Sequence, residues 1–298
     1  MEYKTVTVIG AVNMDVCGRP AGKLNMRDSN PGLISFAPGG VGRNISHDLR
    51  LLGVKVRLVA AVADDVYGES IMKSCLSLGM DMSLARTVKG GRTSSYVYIC
   101  DETGDMAVGV CDTDIAEMIN PEYLSGIMDE INRSDAVVID GNLPEKTVKW
   151  IAENCSAPLY ADPVSTAKSL RLIPALPKLA AFKPNGIEAM HMTGKSTPED
   201  AARALIDAGV KRVFVSLGEN GMLAAEGDTL VSYPTQVTDI VNANGAGDAA
   251  AAAMIWAGVH GLGLEETANA AQKAAALTIS CAETVNPRLC VEEIIATS

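Results

Sequence analysis

Short apolar runs alternate with helix-period stretches over almost the whole chain. Residues 5–9, 57–62, 136–140, 159–162, 180–183 and 212–217 are compact hydrophobic segments, most of them ending in polar or charged positions. Between them, apolar residues recur at helical spacing in 70–78, 121–132, 146–154 and 199–208. Apolar strands alternating with amphipathic helices predict an α/β fold with a mostly parallel sheet covered on both faces. Two stretches break the alternation. Residues 33–36 and 93–110 read as strand and hairpin, with Tyr96-Val97-Tyr98-Ile99-Cys100 running into a turn at Thr103-Gly104. They predict a small β-sheet lid, from segments near 17–38 and 90–112, over one end of the main sheet within a single domain 1–298. An appended sheet has open edges and one apolar face, which favours pairing with a second copy as a homodimer.

Two glycine turns feed helices, and both carry candidate chemistry. Asn242-Ala243-Asn244-Gly245-Ala246-Gly247-Asp248 leads into an almost pure run of helix formers, 249–257. Small residues let a ligand approach the backbone, and the helix start presents unpaired N–H groups and the positive end of its dipole. That arrangement is an anion site. A carboxylate there opposes a phosphate unless it takes a proton from an attacking hydroxyl. Taken alone, Asp248 reads equally well as an N-cap of a glycine-rich turn. The second turn is Gly39-Gly40-Val41-Gly42-Arg43-Asn44, followed by a helical face of Ile45, Leu49 and Leu52 and a stop at Gly53. Paired glycines suit a hydroxylated ligand, and Asn44 offers both a donor and an acceptor. Upstream, 5–10 is a buried-strand pattern that runs into Asn13-Met14-Asp15. An acid at the carboxyl end of a first parallel strand sits where open α/β sheets bind ligands, although a lone Asp more often closes a turn.

Taken together, these residues resemble the ribokinase (PfkB-type) family of ATP-dependent sugar and nucleoside kinases. The resemblance spans the chain through Asp15, the 39–53 block, Asn185-Gly186-Ile187-Glu188, Ser216-Leu217-Gly218-Glu219-Asn220-Gly221 and the 245–248 signature. Ser29-Asn30-Pro31-Gly32, Pro38 to Ile45, Thr93-Ser94-Ser95-Tyr96 and Asp162-Pro163-Val164-Ser165 are similar to one bacterial subgroup, whose acceptor is the C-nucleoside pseudouridine. The resemblance implies a three-layer sandwich with a small β-sheet lid, and phosphorylation of a 5′-hydroxyl by Mg·ATP. It implies Asp248 as general base and Gly245, Ala246 and Gly247 as the anion hole for the transferring phosphoryl group. For the acceptor it implies Asp15, Gly39, Gly40 and Asn44, with Thr93 and Ser95 as lid contacts to the base. For the nucleotide it implies Asn185, Ser216, Gly218, Gly221 and Asn269. Glu188 and Asn185 would hold Mg²⁺ through waters, although Glu188 also suits a plain helix start. Lys183 ends a strand beside this site, within reach of a phosphate. Another sugar or nucleoside kinase, or a catalytically silent nucleoside sensor, fits the same fold.

Composition narrows the partners. A net charge of −11 argues against a polyanion, so the expected ligands are small molecules, with neither nucleic acid nor membrane. Met1-Glu2-Tyr3-Lys4 runs straight into the first strand, and no apolar run reaches membrane-span length, so a cytoplasmic location is expected. Seven scattered cysteines without a CxxC pair read as reduced thiols, and three histidines leave little material for a His-based site. Thr193-Gly194-Lys195-Ser196 imitates the end of a P-loop, but Ala189 stands where its glycine belongs and a helical pattern precedes it. Many relatives have Asp and Thr where this chain has Asn242 and Asn244. The missing acid weakens the case for a strong monovalent-cation (K⁺) requirement, while carbonyls near Asn242, Asn244 and Ala282 remain available as ligands.

Overall fold

The computed structural model describes residues 4–235 and 240–295. Its strands are β1 (Thr5–Ile9), β2 (Asn13–Pro20), β3 (Gly32–Gly39), β4 (Lys55–Val59), β5 (Ala61–Ala63), β6 (Arg86–Val88) and β7 (Ser95–Cys100). They continue as β8 (Met106–Asp112), β9 (Ala136–Asp140), β10 (Leu159–Asp162), β11 (Leu179–Phe182), β12 (Arg212–Ser216), β13 (Met222–Glu226) and β14 (Thr229–Tyr233). The α-helices are α1 (Val41–Leu51), α2 (Val66–Ser77), α3 (Pro121–Ser125), α4 (Met128–Ile131), α5 (Glu145–Asn154) and α6 (Thr166–Ser169). After them come α7 (Gly186–Thr193), α8 (Pro198–Asp207), α9 (Ala246–Val259), α10 (Leu264–Ile279) and α11 (Val291–Ile295).

Eight strands form one sheet in the order β14-β13-β12-β11-β10-β9-β1-β4, parallel except where β13 pairs with β12 and β14. Successive residues of a strand face opposite sides, so the apolar runs feed two cores. Val6 and Val8 of β1 pack on one side with Ile45 and Leu49 of α1 and with the alanines of α9. Ile9 packs on the other, with Val148 and Ile151 of α5 and Leu205 of α8. Helix α9 is buried from Ala249 to Ala257, wedged between α1 and α10. Its alanines carry little bulk, which lets the neighbouring helices approach closely while keeping the best helix propensity.

Several elements differ from the sequence pattern. The apolar run 57–62 divides: β4 stops at Val59, and Ala61–Ala63 turns away to pair with β6 in a two-stranded sheet. The helix expected over 121–132 is interrupted near Gly126 into α3 and α4. Asp15 does not end the first parallel strand, because β1 stops at Ile9 and Asp15 lies inside β2 of a separate sheet. That smaller sheet has the order β3-β2-β7-β8. Paired residues share a face. Asp15 lies opposite Ala37 on one side and Tyr96 on the other, and Tyr96 lies opposite Cys111. The reverse face carries Val16, Phe36, Val97 and Val110 side by side, with Phe36 59% and Val110 69% exposed. No helix among the described residues is long and apolar enough to cross a membrane.

Phe214 sits on β12 with no exposed surface and fills the core facing α9 and α10. Phe214→Ala is expected to cost about 3–5 kcal/mol. Urea denaturation of the two proteins measures this directly.

Candidate active site

A cavity of about 680 Å³ opens at the carboxyl ends of the parallel strands. One end is charged, with Asp162 closing β10, Lys183 following β11, Asn185 and Glu188 starting α7, and Gly247 and Asp248 starting α9. The other end is apolar, with Met222, Ile240, Ala243, Ala275 and Ile279. Ser216 and Gly218 line the wall after β12. A molecule with a charged end and a flat apolar end matches this division.

Local chemistry explains how each polar group is held. Gly245 has φ of +82° and precedes α9 as its N-cap, a left-handed conformation that disfavours any residue with a Cβ. A Cβ there would also overlap the Thr284 carbonyl. The first helical bond runs from Ala249 N–H to Gly245 O, 2.9 Å. The N–H groups of Ala246, Gly247 and Asp248 therefore have no intrahelical acceptor and point out of the helix start. Asn242 ties the same loop down by donating to Ala282 O (2.9 Å) and accepting from Asn244 N–H (3.0 Å). At α7, Glu188 N–H donates to Asn185 Oδ1 and Asn185 N–H to Glu188 Oε2, both 2.8 Å. This capping box uses one oxygen of each side chain and leaves Asn185 Nδ2 and Glu188 Oε1 outside the cap.

Asp248 is reached from both sides. Protein surrounds its carboxylate while the residue still borders the cavity, and Asn44 Nδ2 donates to its Oδ2 at 2.9 Å. Burial pushes its pKa up to about 7, and the negative charge of Asp162 adds to the rise. The Asn44 bond and Lys183 oppose the shift, and Asp140 reinforces it. On the small sheet, Asp15 is raised to about 6 chiefly by burial, against a hydrogen bond from the Asn13 amide and the charge of Arg43. Gly39 lies against the Asp15 carboxylate, and Gly40, with φ of +100°, is the N-cap of α1. Lys183 Nζ is 3.5 Å from Asp162 Oδ2, and both side chains are buried. Asp140 ties the β1–β2 link to the end of β9 by accepting from Ala11 N–H (2.8 Å) and Asn142 N–H (2.9 Å).

The structure gathers Asp248, Ala246, Gly247, Asn185, Glu188, Ser216, Gly218 and Gly221 at one cavity, with Asn44 hydrogen-bonded to its Asp248. Three residues singled out in the sequence go elsewhere. Thr93 is 3% exposed, and its hydroxyl donates to Asp65 (2.6 Å) and accepts from Ala63 N–H (2.9 Å), so it anchors the chain beside α2. Ser95 pairs with Met14, on the face opposite Asp15, and its hydroxyl donates to Thr93 O. Asn269 does not line the cavity, whereas Gln272, Ala275 and Ile279 of the same helix do. Gln272 Nε2 is buried with no partner among the described residues. The helical pattern made α10 visible in the sequence but not how far along it the cavity reached. Asp162 was visible only as part of a motif, and its position beside Lys183 needed the parallel pairing of β10 with β11.

Residues 4–289 match the family model described as pfkB family carbohydrate kinase, and the chain belongs to that family. It is 36% identical to a pseudouridine kinase of Escherichia coli (strain K12), over 99% of this chain and 96% of that protein. It is 27% identical to a ribokinase of Bacillus subtilis (strain 168), over 93% of each. A solved carbohydrate kinase from Agrobacterium tumefaciens superposes with a TM-score of 0.87 at 27% identity, covering 98% of this chain and 95% of that one.

The raised Asp248 has a consequence for stability. Its carboxyl titrates near 7 when folded against 3.8 for the free group, so the folded state holds a proton that the unfolded chain has released. Stability contributed by this site is therefore lost as pH rises from about 4 through about 7. Asp248→Asn keeps an acceptor for Asn44 and removes the buried charge. It is expected to raise Tm at pH 8, with a gain that shrinks as pH is lowered toward 5, as scanning calorimetry at several pH values would read.

Proposed function

We propose that this protein transfers the γ-phosphoryl group of ATP to the 5′-hydroxyl of pseudouridine. The observation that carries the reading is the Asn44–Asp248 hydrogen bond, which joins the acceptor side to a buried carboxylate at the free amides of α9. In this reading Asp15 accepts hydrogen bonds from the 2′- and 3′-hydroxyls of the acceptor ribose, and Gly40 and Asn44 hold the sugar. Asp248, ionised, takes the proton of the 5′-hydroxyl as that oxygen attacks. The amides at 245–247 and the Lys183 ammonium meet the negative charge of the transferring phosphoryl oxygens. The apolar end of the cavity takes the purine of the donor, with Ser216, Gly218 and Gly221 along its wall. The acceptor assignment draws on the likeness to the pseudouridine kinase of E. coli.

Mg²⁺ suits the donor set. Among the described residues no group of three or more acidic, His or Cys side chains forms a protein-only cage. Glu188 and Asn185 on one wall match a cation that keeps most of its waters and is bound largely through phosphate oxygens. When bound, it neutralises charge on the triphosphate.

A second reading, a kinase for free ribose or another nucleoside, is favoured by the likeness to ribokinase and by the fact that Asp15, Gly40 and Asn44 recognise only the sugar. Assembly is part of the proposal too. The exposed apolar row of Phe36, Val97 and Val110 suits burial against the same sheet of a second copy, giving a symmetric dimer.

Three outcomes follow. Asp248→Asn should lower kcat by roughly 10²–10⁴-fold with ATP binding retained, and the wild-type kcat/KM should fall as pH drops below about 7, where the base becomes protonated. Unchanged turnover in the variant would remove Asp248 from the chemistry. In competition at equal concentration, pseudouridine should be preferred over uridine roughly 5- to 150-fold, the scale of one unpaired buried polar group. Preference for free ribose or uridine selects the second reading, and no ATP consumption with any acceptor selects a silent sensor. Light scattering should give a dimer, and Val110→Asp should shift it toward monomer.

A further inference from the structure

On the face of the small sheet that carries Asp15, the neighbouring strand presents Tyr96 directly beside it, with Tyr98 two residues on and facing the same way. The two rings stack, with centroids 5.3 Å apart and planes inclined by 27°. Opposite them on β8 is Gly109, where a Cβ would come within 2.9 Å of Tyr96 Oη and 3.1 Å of its Cε2. The absence of a side chain there lets the Tyr96 ring lie down across β8, held at its far end by a hydroxyl contact to Met106 Sδ at 2.7 Å. Both tyrosines are only half-buried. The Asp15 charge is close enough to oppose ionisation of both phenols. The result is a flat aromatic surface adjoining the carboxylate that grips the acceptor sugar.

We propose that Tyr96, backed by Tyr98, is the platform on which the planar base of the acceptor nucleoside stacks. This rests on the acceptor being a nucleoside, as argued above. A ribose whose 2′- and 3′-hydroxyls meet Asp15 and whose 5′-hydroxyl points to Asp248 directs its C1′ substituent away from Asp248, outward along the small sheet. Tyr96 and Tyr98 are the aromatic side chains on that face. Other polar groups near this end are already engaged. The Asn30 side chain accepts from Asn25 N–H (2.8 Å) and donates to the carbonyls of Asn25 (2.9 Å) and Asp28 (3.1 Å), so it holds its own loop. Thr93 is tied to Asp65. Stacking also tolerates any planar base, which separates this contact, giving nucleoside over sugar, from the polar contacts that separate one base from another.

The experiment is steady-state kinetics with pseudouridine and ATP on wild type, Tyr96→Ala, Tyr96→Leu and Tyr96→Phe, with light scattering on each. Tyr96→Ala and Tyr96→Leu should each raise KM for pseudouridine roughly 5- to 150-fold, the range for losing one base–aromatic stack. KM for ATP should move far less, and Tyr96→Phe should stay close to wild type because the ring is kept. Tyr96→Leu retains apolar bulk in the strand and serves if the alanine variant does not fold. An unchanged pseudouridine KM in Tyr96→Leu overturns the platform, as does a Tyr96→Phe variant as impaired as Tyr96→Leu. A change of oligomeric state in Tyr96→Leu that accounts for the lost activity also overturns it, since the dimer face is the opposite one. A wild-type enzyme active on ribose but on no nucleoside overturns the acceptor reading itself, and the platform with it.

Discussion

The dominant constraint on this molecule is the burial of carboxylates around one cavity. Asp162 and Glu188 line it, Asp48 and Asp140 lie within electrostatic reach of Asp248, and all four are less than a tenth exposed, while Asp248 at the start of α9 is partly exposed. Against these acids, Lys183 is the cation that lines the cavity among the described residues. Desolvation is the largest cause of the upward shift at Asp48, Asp140, Glu188 and Asp248, and neighbouring negative charge adds to each. Asp48 is the extreme case: both of its oxygens are buried without partners, and its carboxyl is held well above the usual range. Such a cluster is destabilising in isolation. It persists because two apolar cores on either side of the eight-stranded sheet hold the strand ends in place.

The same constraint sets how the pieces are connected. Asp140 fixes the link between β1 and β2 through two backbone N–H groups, and so sets where the small sheet leaves the main one. That departure carries Asp15 toward α1, where Gly40 and Asn44 begin the helix. Asn44 then closes the circuit to Asp248, 204 residues away. Each contact is short, yet together they tie the small sheet, α1 and α9 to one another.

Much of the fold was legible because alternation of apolar runs and helical periods is a local signal. The glycine turns at 39–42 and 245–247 were legible for the same reason, since a backbone conformation is dictated where it occurs. Phase was not legible. Whether Ser95 or Tyr96 shares a face with Asp15 depends on the register between β2 and β7, strands some eighty residues apart that no local pattern relates. A slip of one residue would have exchanged them. Asn269 and Gln272 lie near the same face of α10, one turn apart, and what the pattern could not give there is how far along the helix the cavity reaches. Asp15 was assigned to the wrong strand, because the apolar pattern continues through Ala11 and Val12 and hides the break that Gly10 makes between β1 and β2.

The order of the strands also governs the course of synthesis. Asp15, Asn44, Asp162 and Lys183 all precede β12, whereas the free amides of α9 and Asp248 arrive together only after β14. A nascent chain emerging from the ribosome can therefore assemble the sheet and part of both cores before α9 has been made. Because α9 is wedged between α1 and α10, the core on that side closes only once α10 has followed it. The charged walls of the cavity are in this way brought together late, by a helix whose docking needs the next one, and the cavity's shape becomes a property of the finished protein alone.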